Sequence, residues 1–186
     1  METKDLKKSI RKEVLEKRKT VNNAQGSNKI YQNFIQSEFY DQYKFIMSYM
    51  SINTEVDTGS INNEILEGDK TLLLPVLRNN ELKVSKFDFG DNLKAGDYNI
   101  PEPSPFREYD HKWVELVLVP GVAFSPKTGH RLGYGRGFFD RFLKDFNGIK
   151  VGLCFEAQLV DDLPSEEQDV TMDALITEKR IIKIKK

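Results

Sequence analysis

The sequence predicts an α/β fold: a single three-layer domain over residues 1–186, with a mixed, mainly parallel central sheet flanked by helices. Three observations carry that expectation. Short apolar runs such as "VELVLVP" (114–120) and "IKVGLCF" (149–155) have the continuous hydrophobicity of strands covered on both faces. Segments with apolar residues at helical spacing stand between such runs, and that alternation builds layered sheets. Neither an internal repeat nor a linker divides the chain, and its 186 residues suffice for one substantial core.

The first twenty residues are expected to be helical, with Leu6, Ile10 and Val14 recurring every four positions. Eight basic residues between Lys4 and Lys19 outnumber four acidic ones between Glu2 and Glu16. Such a segment is either a solvated helix with intrahelical ion pairs or a cationic helix leaning over an anion. A second helix is placed over 28–39, with Ile30, Phe34 and Ile35 inward, before the buried strand "KFIMSYM" (44–50). Asp57 or Thr58 caps the next helix, which Gly68 ends. "TLLLPVL" (71–77) and "LKVSKF" (82–87) are strands either side of the turn "RNNE". The stretch 90–105, with its three prolines, reads as an irregular excursion over the surface. Beyond the strand at 114–120, "GVAFSPKTGH" is a loop, "FFDRFLKDF" a helix and 149–155 a buried strand. "AQLVDDLPSEEQDVTMD" is a solvated acidic connection, and "ALITEKRIIKIKK" two short strands around a turn.

Composition removes several functional classes. Basic and acidic side chains nearly cancel, 28 against 29, so no global field favours nucleic acid or a membrane surface. One cysteine, Cys154, excludes an internal disulfide and any CxxC metal site, and its strand setting makes it a small core hydrophobe. No apolar run has the roughly 20 residues needed to span a bilayer, and the charged N-terminus lacks a signal-peptide core. A cytoplasmic protein is expected.

The stretch "GHRLGYGRGFFDRFL" (129–143) carries the chemistry. It contains no Gly-Lys-Ser/Thr, and the G-x-G-x-x-G spacing from Gly133 and Gly135 meets Phe138 at its sixth place, so neither familiar phosphate motif fits. Their physical logic still applies. Gly133, Gly135 and Gly137 leave their amides unshielded, and a helix starting near Phe138 adds its free N-terminal amides to an anion-binding concavity. Arg131 and Arg136 would add forked donors suited to phosphate. Asp140 fits beside an anion only with a divalent cation between them. The plainer alternative is a turn that lets strand and helix pack closely, with Asp140 as a first-turn carboxylate.

The run "VPGVAFSPKTGHRLGYGRGFFDRFL" resembles the signature of the 5-formyltetrahydrofolate cyclo-ligase family, the methenyltetrahydrofolate synthetases. "KKSIRKE" resembles that family's basic N-terminal helix, "MSYMSINTEVDT" its folate-side strand and glutamate, and "VTMDALIT" its late aspartate before a strand. The resemblance implies an ATP- and magnesium-dependent cyclisation of 5-formyltetrahydrofolate to 5,10-methenyltetrahydrofolate, through phosphorylation of the formyl oxygen. It implies ATP contacts from Lys7, Lys8, Ser9, Ile10 and Arg11, and from the segment Arg131, Leu132, Gly133, Tyr134, Gly135, Arg136, Gly137, Phe138 and Phe139. It implies folate contacts from Arg11, Met50, Glu55, Tyr134, Gly135, Arg136, Gly137 and Phe138, with Glu55 accepting hydrogen bonds from the pterin edge. Tyr134 and Arg136 are the expected catalytic residues, and Asp140 and Asp173 the metal-associated carboxylates. Where the family often has a tyrosine pair, this chain has Phe138-Phe139, which keeps a stacking surface without hydroxyls.

The implied partners are a small-molecule folate and ATP, acting on a monomer, without nucleic acid or membrane. A relative that has lost its chemistry and binds RNA is the alternative from another class. A sugar-phosphate or coenzyme A enzyme of related architecture is a third, separated by having no need of nucleotide. His111 and His130 lack paired ligand spacing and are expected at the surface, whereas Trp113 is expected to pack beside its strand.

Overall fold

A computed structural model describes residues 3–166 and 169–185. In chain order the elements are α1 (Thr3–Lys19), α2 (Asn23–Ile35), α3 (Glu38–Gln42), β1 (Phe45–Met47), α4 (Gly59–Glu67), β2 (Thr71–Arg78) and β3 (Glu81–Phe87). They continue with β4 (Asn92–Ala95), β5 (Pro101–Ser104), β6 (Leu116–Val119), β7 (Ala123–Phe124), β8 (Arg131–Leu132) and α5 (Phe138–Lys144). Last come β9 (Ile149–Leu153), β10 (Ala174–Ile176) and β11 (Ile181–Lys183). Seven strands form one sheet in the order β11-β10-β9-β6-β1-β2-β3. It is parallel from β10 to β2 and antiparallel at its two edges, the mixed, mainly parallel α/β arrangement expected.

The layers follow from the two-residue period of a strand. Leu116 and Leu118 of β6 join Ile30, Phe34, Ile61 and Ile65 of α2 and α4 in one cluster. Val117 and Val119 face the other way, into a cluster with Leu143 of α5, Phe146 and Phe124. All four β6 residues are fully buried, which is why the run shows no alternation in the sequence. A third cluster, Val14, Val122, Ala123, Leu132 and Leu163, ties α1 to the β7–β8 hairpin.

Several elements differ from the sequence expectation, each for a local reason. The second helix starts earlier and breaks earlier, because Asn22 caps it by accepting from the Gln25 amide and Ser37 starts α3. At the next helix Asp57 accepts from the Gly59 amide, while the Thr58 hydroxyl donates to the Tyr49 carbonyl instead. Asn79 and Asn80 both adopt positive φ, the turn geometry that matches strand twist in the β2–β3 hairpin. The expected surface excursion at 90–105 is the antiparallel arm β4–β5, and the expected loop after β6 contains the hairpin β7–β8. Leu6 is exposed, so the inward stripe of α1 runs through Ile10, Val14 and Arg18. Trp113 lies on the surface rather than packing. Cys154 is buried as expected, and burial raises its thiol pKa. No described helix is long and apolar enough to cross a membrane.

The hairpin reaches its place through a close approach at β9. A Cβ on Gly152 would stand 2.7 Å from both the Phe124 ring and Leu175. Gly152→Ala should therefore overpack this junction and lower stability by about 1–3 kcal/mol. Urea unfolding midpoints of the two proteins measure the effect.

Candidate active site

A cavity of about 290 Å³ opens beyond the C-terminal ends of the parallel strands, where open α/β sheets place their ligands. Tyr49, Met50 and Glu55 reach it from the segment after β1, and Pro120 closes it after β6. Tyr134, Arg136 and Phe138 come from the glycine segment, and Tyr98, Ile100 and Glu102 from the β4–β5 arm.

The glycine segment joins β8 to α5. Gly135 and Gly137 have φ of 99° and 69°, a left-handed conformation that a side chain disfavours. Gly133 is required for space instead: a Cβ there would stand 2.8 Å from Nη1 of Arg131. That guanidinium is buried, donates to the Pro120 carbonyl at 3.2 Å and pairs with Asp140 Oδ1 at 2.5 Å. Its Nε has no protein partner among the described residues. Arg11 donates from Nε to the Gly133 carbonyl at 2.8 Å, so α1 docks on the loop from the other side. Arg136 lies 3.8 Å from the Tyr98 ring centroid, a cation–π contact that joins loop to arm.

The other wall is built around a buried carboxylate. Glu55 is 7 % exposed and accepts from the Ile52 amide at 2.9 Å. Burial pushes its carboxyl above the ordinary range, opposed by the Ile52 amide, the Arg18 charge and the Tyr134 hydroxyl. The Tyr134 phenol is pushed up by burial and then by the Glu55 charge. Glu102 is also buried, accepting from the Leu77 amide at 2.9 Å and pairing with Arg78 at 2.8 Å. The cavity thus offers aromatic and apolar walls to a flat ring, one carboxylate to its donors, and a cationic loop to an anion.

The sequence profile of the 5-formyltetrahydrofolate cyclo-ligase family matches residues 3–178. The chain belongs to that family. A probable 5-formyltetrahydrofolate cyclo-ligase from Caenorhabditis elegans is 31 % identical over 169 residues, covering 82 % of each chain. The NMR structure of 5,10-methenyltetrahydrofolate synthetase from Aquifex aeolicus superposes with a TM-score of 0.86 at 33 % identity, over 96 % of this chain and 92 % of that one. A 5,10-methenyltetrahydrofolate synthetase from Mycoplasma pneumoniae shares the fold, with a TM-score of 0.73 at 22 % identity, over 92 % of this chain and 98 % of the other.

Of the residues that the cyclo-ligase resemblance singles out, the structure gathers Met50, Glu55, Arg131, Gly133, Tyr134, Arg136, Gly137, Phe138, Phe139 and Asp140 around the cavity, with Gly135 in the same loop and Arg11 bonded to it. Leu132 is a core residue, leaving only its backbone for a ligand, and Ile10 packs against the same cluster. Lys8 and Ser9 are exposed on α1. Lys7 is engaged: its Nζ lies 2.8 Å from both Glu166 and Asp169. Burial works against its charge, but these two carboxylates outweigh burial and raise its pKa. The acidic connection, expected to be wholly solvated, therefore docks part of itself on α1.

Asp173 is not among the cavity residues. It precedes β10, where its carboxylate accepts from the Lys150 amide at 2.8 Å and lies 3.4 Å from Lys150 Nζ. Lys150 is in register with Val117, three residues before Pro120, so Asp173 stands below the cavity and two strands aside from β6. His111 is exposed, and His130 is half-buried against Thr128. The residues that the sequence did not single out include Arg18, Tyr98, Ile100 and Glu102. Arg18 carried a usable signal, an arginine continuing the spacing of Ile10 and Val14, whereas the arm residues follow no periodic pattern.

Two substitutions test this geometry. Gly133→Ala should displace the Arg131 guanidinium from Asp140 and lower stability by about 1–3 kcal/mol, read from urea unfolding midpoints. Glu55→Gln tests the buried charge. The folded state holds the Glu55 proton more tightly than the unfolded state, so its ionisation costs stability at high pH and nothing once both states are protonated. Glu55→Gln should raise Tm at about pH 8, and the gain should vanish by about pH 4.

Proposed function

We propose that the chain closes 5-formyltetrahydrofolate to 5,10-methenyltetrahydrofolate in this cavity, with ATP converted to ADP and phosphate. The observation that carries the reading is one continuous cavity with a buried carboxylate and aromatic walls on one side and the arginine-glycine loop on the other. The pterin edge would donate to Glu55, with Met50 and Phe138 against the ring. The nucleotide phosphates would lie against the amides of the glycine segment, near Arg131 and Arg136.

The chemistry needs positioning more than it needs a side-chain nucleophile. The formyl oxygen forms a bond to the γ-phosphorus as the bond to the departing ADP oxygen breaks. The neighbouring folate amine then attacks the formyl carbon, its proton leaves, and breaking the C–O bond releases phosphate. Arg136 sits on the cavity wall where it can offset charge on the transferring group, and Tyr98 holds its guanidinium plane.

Among the described residues, no three His, Cys, Asp or Glu side chains gather closely enough to hold a metal alone. Magnesium is usually bound by one or two carboxylates together with substrate phosphates, and Asp140, on the cavity wall, would be the carboxylate to hold it. Bound there, magnesium would neutralise phosphate charge. A monomeric, single-domain enzyme is part of this proposal. The cytoplasm is its proposed compartment, since it supplies both ATP and reduced folate.

Purified protein mixed with 5-formyltetrahydrofolate, ATP and magnesium should generate the near-ultraviolet band of the methenyl product, and omitting ATP or metal should abolish it. Arg136→Ala should lower that rate by about a hundredfold with little change in Tm, whereas Asp140→Asn should lower both the rate and Tm, because it takes the carboxylate from the buried Arg131 guanidinium. Normal rates in both variants would remove the site assignment.

A further inference from the structure

Arg18 lies on the inward stripe of α1 and is 2 % exposed, yet no motif in the sequence accounts for it. Its guanidinium donates in three directions: to Thr54 Oγ1 at 2.8 Å, to the Gly121 carbonyl at 3.3 Å and to the Tyr134 hydroxyl at 2.7 Å. Those partners come from the segment after β1, the turn between β6 and β7, and the glycine segment. A buried charge held this way on the cavity side of α1 serves more than the packing of the helix.

We infer that Arg18 is a positioning residue for the folate half of the site: through the Tyr134 hydroxyl it keeps Glu55 in the ionised, acceptor-only form that a ligand edge carrying N–H donors requires. The ligand's identity rests on the cyclo-ligase reading; the side-chain relay does not.

The geometry sets the direction of each hydrogen bond. A guanidinium only donates, so the Tyr134 oxygen spends a lone pair on Arg18 and keeps its own hydrogen for another acceptor. Glu55 lines the same cavity as Tyr134 and is the carboxylate whose charge faces that hydroxyl, the acceptor we assign to it. The groups facing Glu55 are Arg18 from α1, Tyr134 from the glycine segment, Tyr49 at the end of β1 and the Ile52 amide. Arg18 is the cation in this set. Without it, burial would favour a neutral carboxyl, whose O–H would confront donors on the ligand and leave polar groups unpaired. Arginine keeps its charge throughout the working pH range, which makes it suited to hold a neighbour ionised.

The test follows the Glu55 carboxyl directly. In the full chain labelled with ¹³C at glutamate carboxyls, the Glu55 signal is assigned by its loss in Glu55→Gln and titrated with pH. Arg18→Gln should move its midpoint further upward. The same substitution should raise KM for 5-formyltetrahydrofolate about tenfold while leaving KM for ATP unchanged. Arg18→Lys, which restores the charge but not the three-way fork, should recover much of the midpoint and only part of the KM. Tyr134→Phe removes one hydroxyl and should shift the midpoint in the same direction, which covers the case of Arg18→Gln failing to fold. An unmoved midpoint in either Arg18→Gln or Tyr134→Phe overturns the relay, as does a parallel rise in both KM values. A wild-type chain inactive on 5-formyltetrahydrofolate would overturn the cyclo-ligase reading alone, because the titration decides the relay without turnover.

Discussion

The site depends on the pair between buried Arg131 and half-buried Asp140. Arg131 opens β8, the second strand of the β7–β8 hairpin, and Asp140 lies in the first turn of α5, so this contact closes the glycine segment into a loop of fixed shape. A guanidinium taken out of water is tolerated only when its donors are met, and the chain meets them with a carboxylate and the Pro120 carbonyl. Gly133 and Gly121 leave room for the same side chain, since a Cβ at either would approach it within 3.0 Å. The glycines therefore have divided roles. Gly135 and Gly137 allow the backbone its curvature, while Gly133 and Gly121 allow an arginine to pass.

Burial of charge is the recurring device. Glu55, Glu102, Arg18 and Arg131 are all nearly inaccessible, and each has hydrogen-bonding partners in the chain. This costs desolvation, and a purely apolar cavity would be simpler to stabilise. The return is orientation: each group is held by neighbours before any ligand arrives, which is what a reaction dominated by alignment requires. The near balance of charge in the whole chain conceals this local order, because a net count does not show which charges are buried.

The β4–β5 arm shows where reading the sequence stops. Its residues follow no helical or strand period, and prolines at 101, 103 and 105 suggest a surface loop. The arm instead closes one side of the cavity, held by Glu102 on the Leu77 amide and by the Tyr98–Arg136 contact. Both contacts join segments more than twenty residues apart, so nothing within a local window announces them. Asp173 makes the complementary point. Motif position gave it a metal-associated role alongside Asp140 and left their separation open; strand register carries it below the cavity and onto Lys150.

By itself, the sequence determined the α/β class, the mainly parallel sheet, the helix–strand alternation and the chemical character of 129–143. These rest on periodicity and glycine placement, which act over a few residues and are written locally. Family membership followed from ordered motifs spread along almost the whole chain. Tertiary structure alone decided that Arg18 turns inward to Tyr134, that Lys7 meets Glu166 and Asp169, and that an irregular arm walls the site. Those outcomes depend on which distant side chains a folded core brings within hydrogen-bonding reach, and sheet register and helix docking set that distance, not residue type.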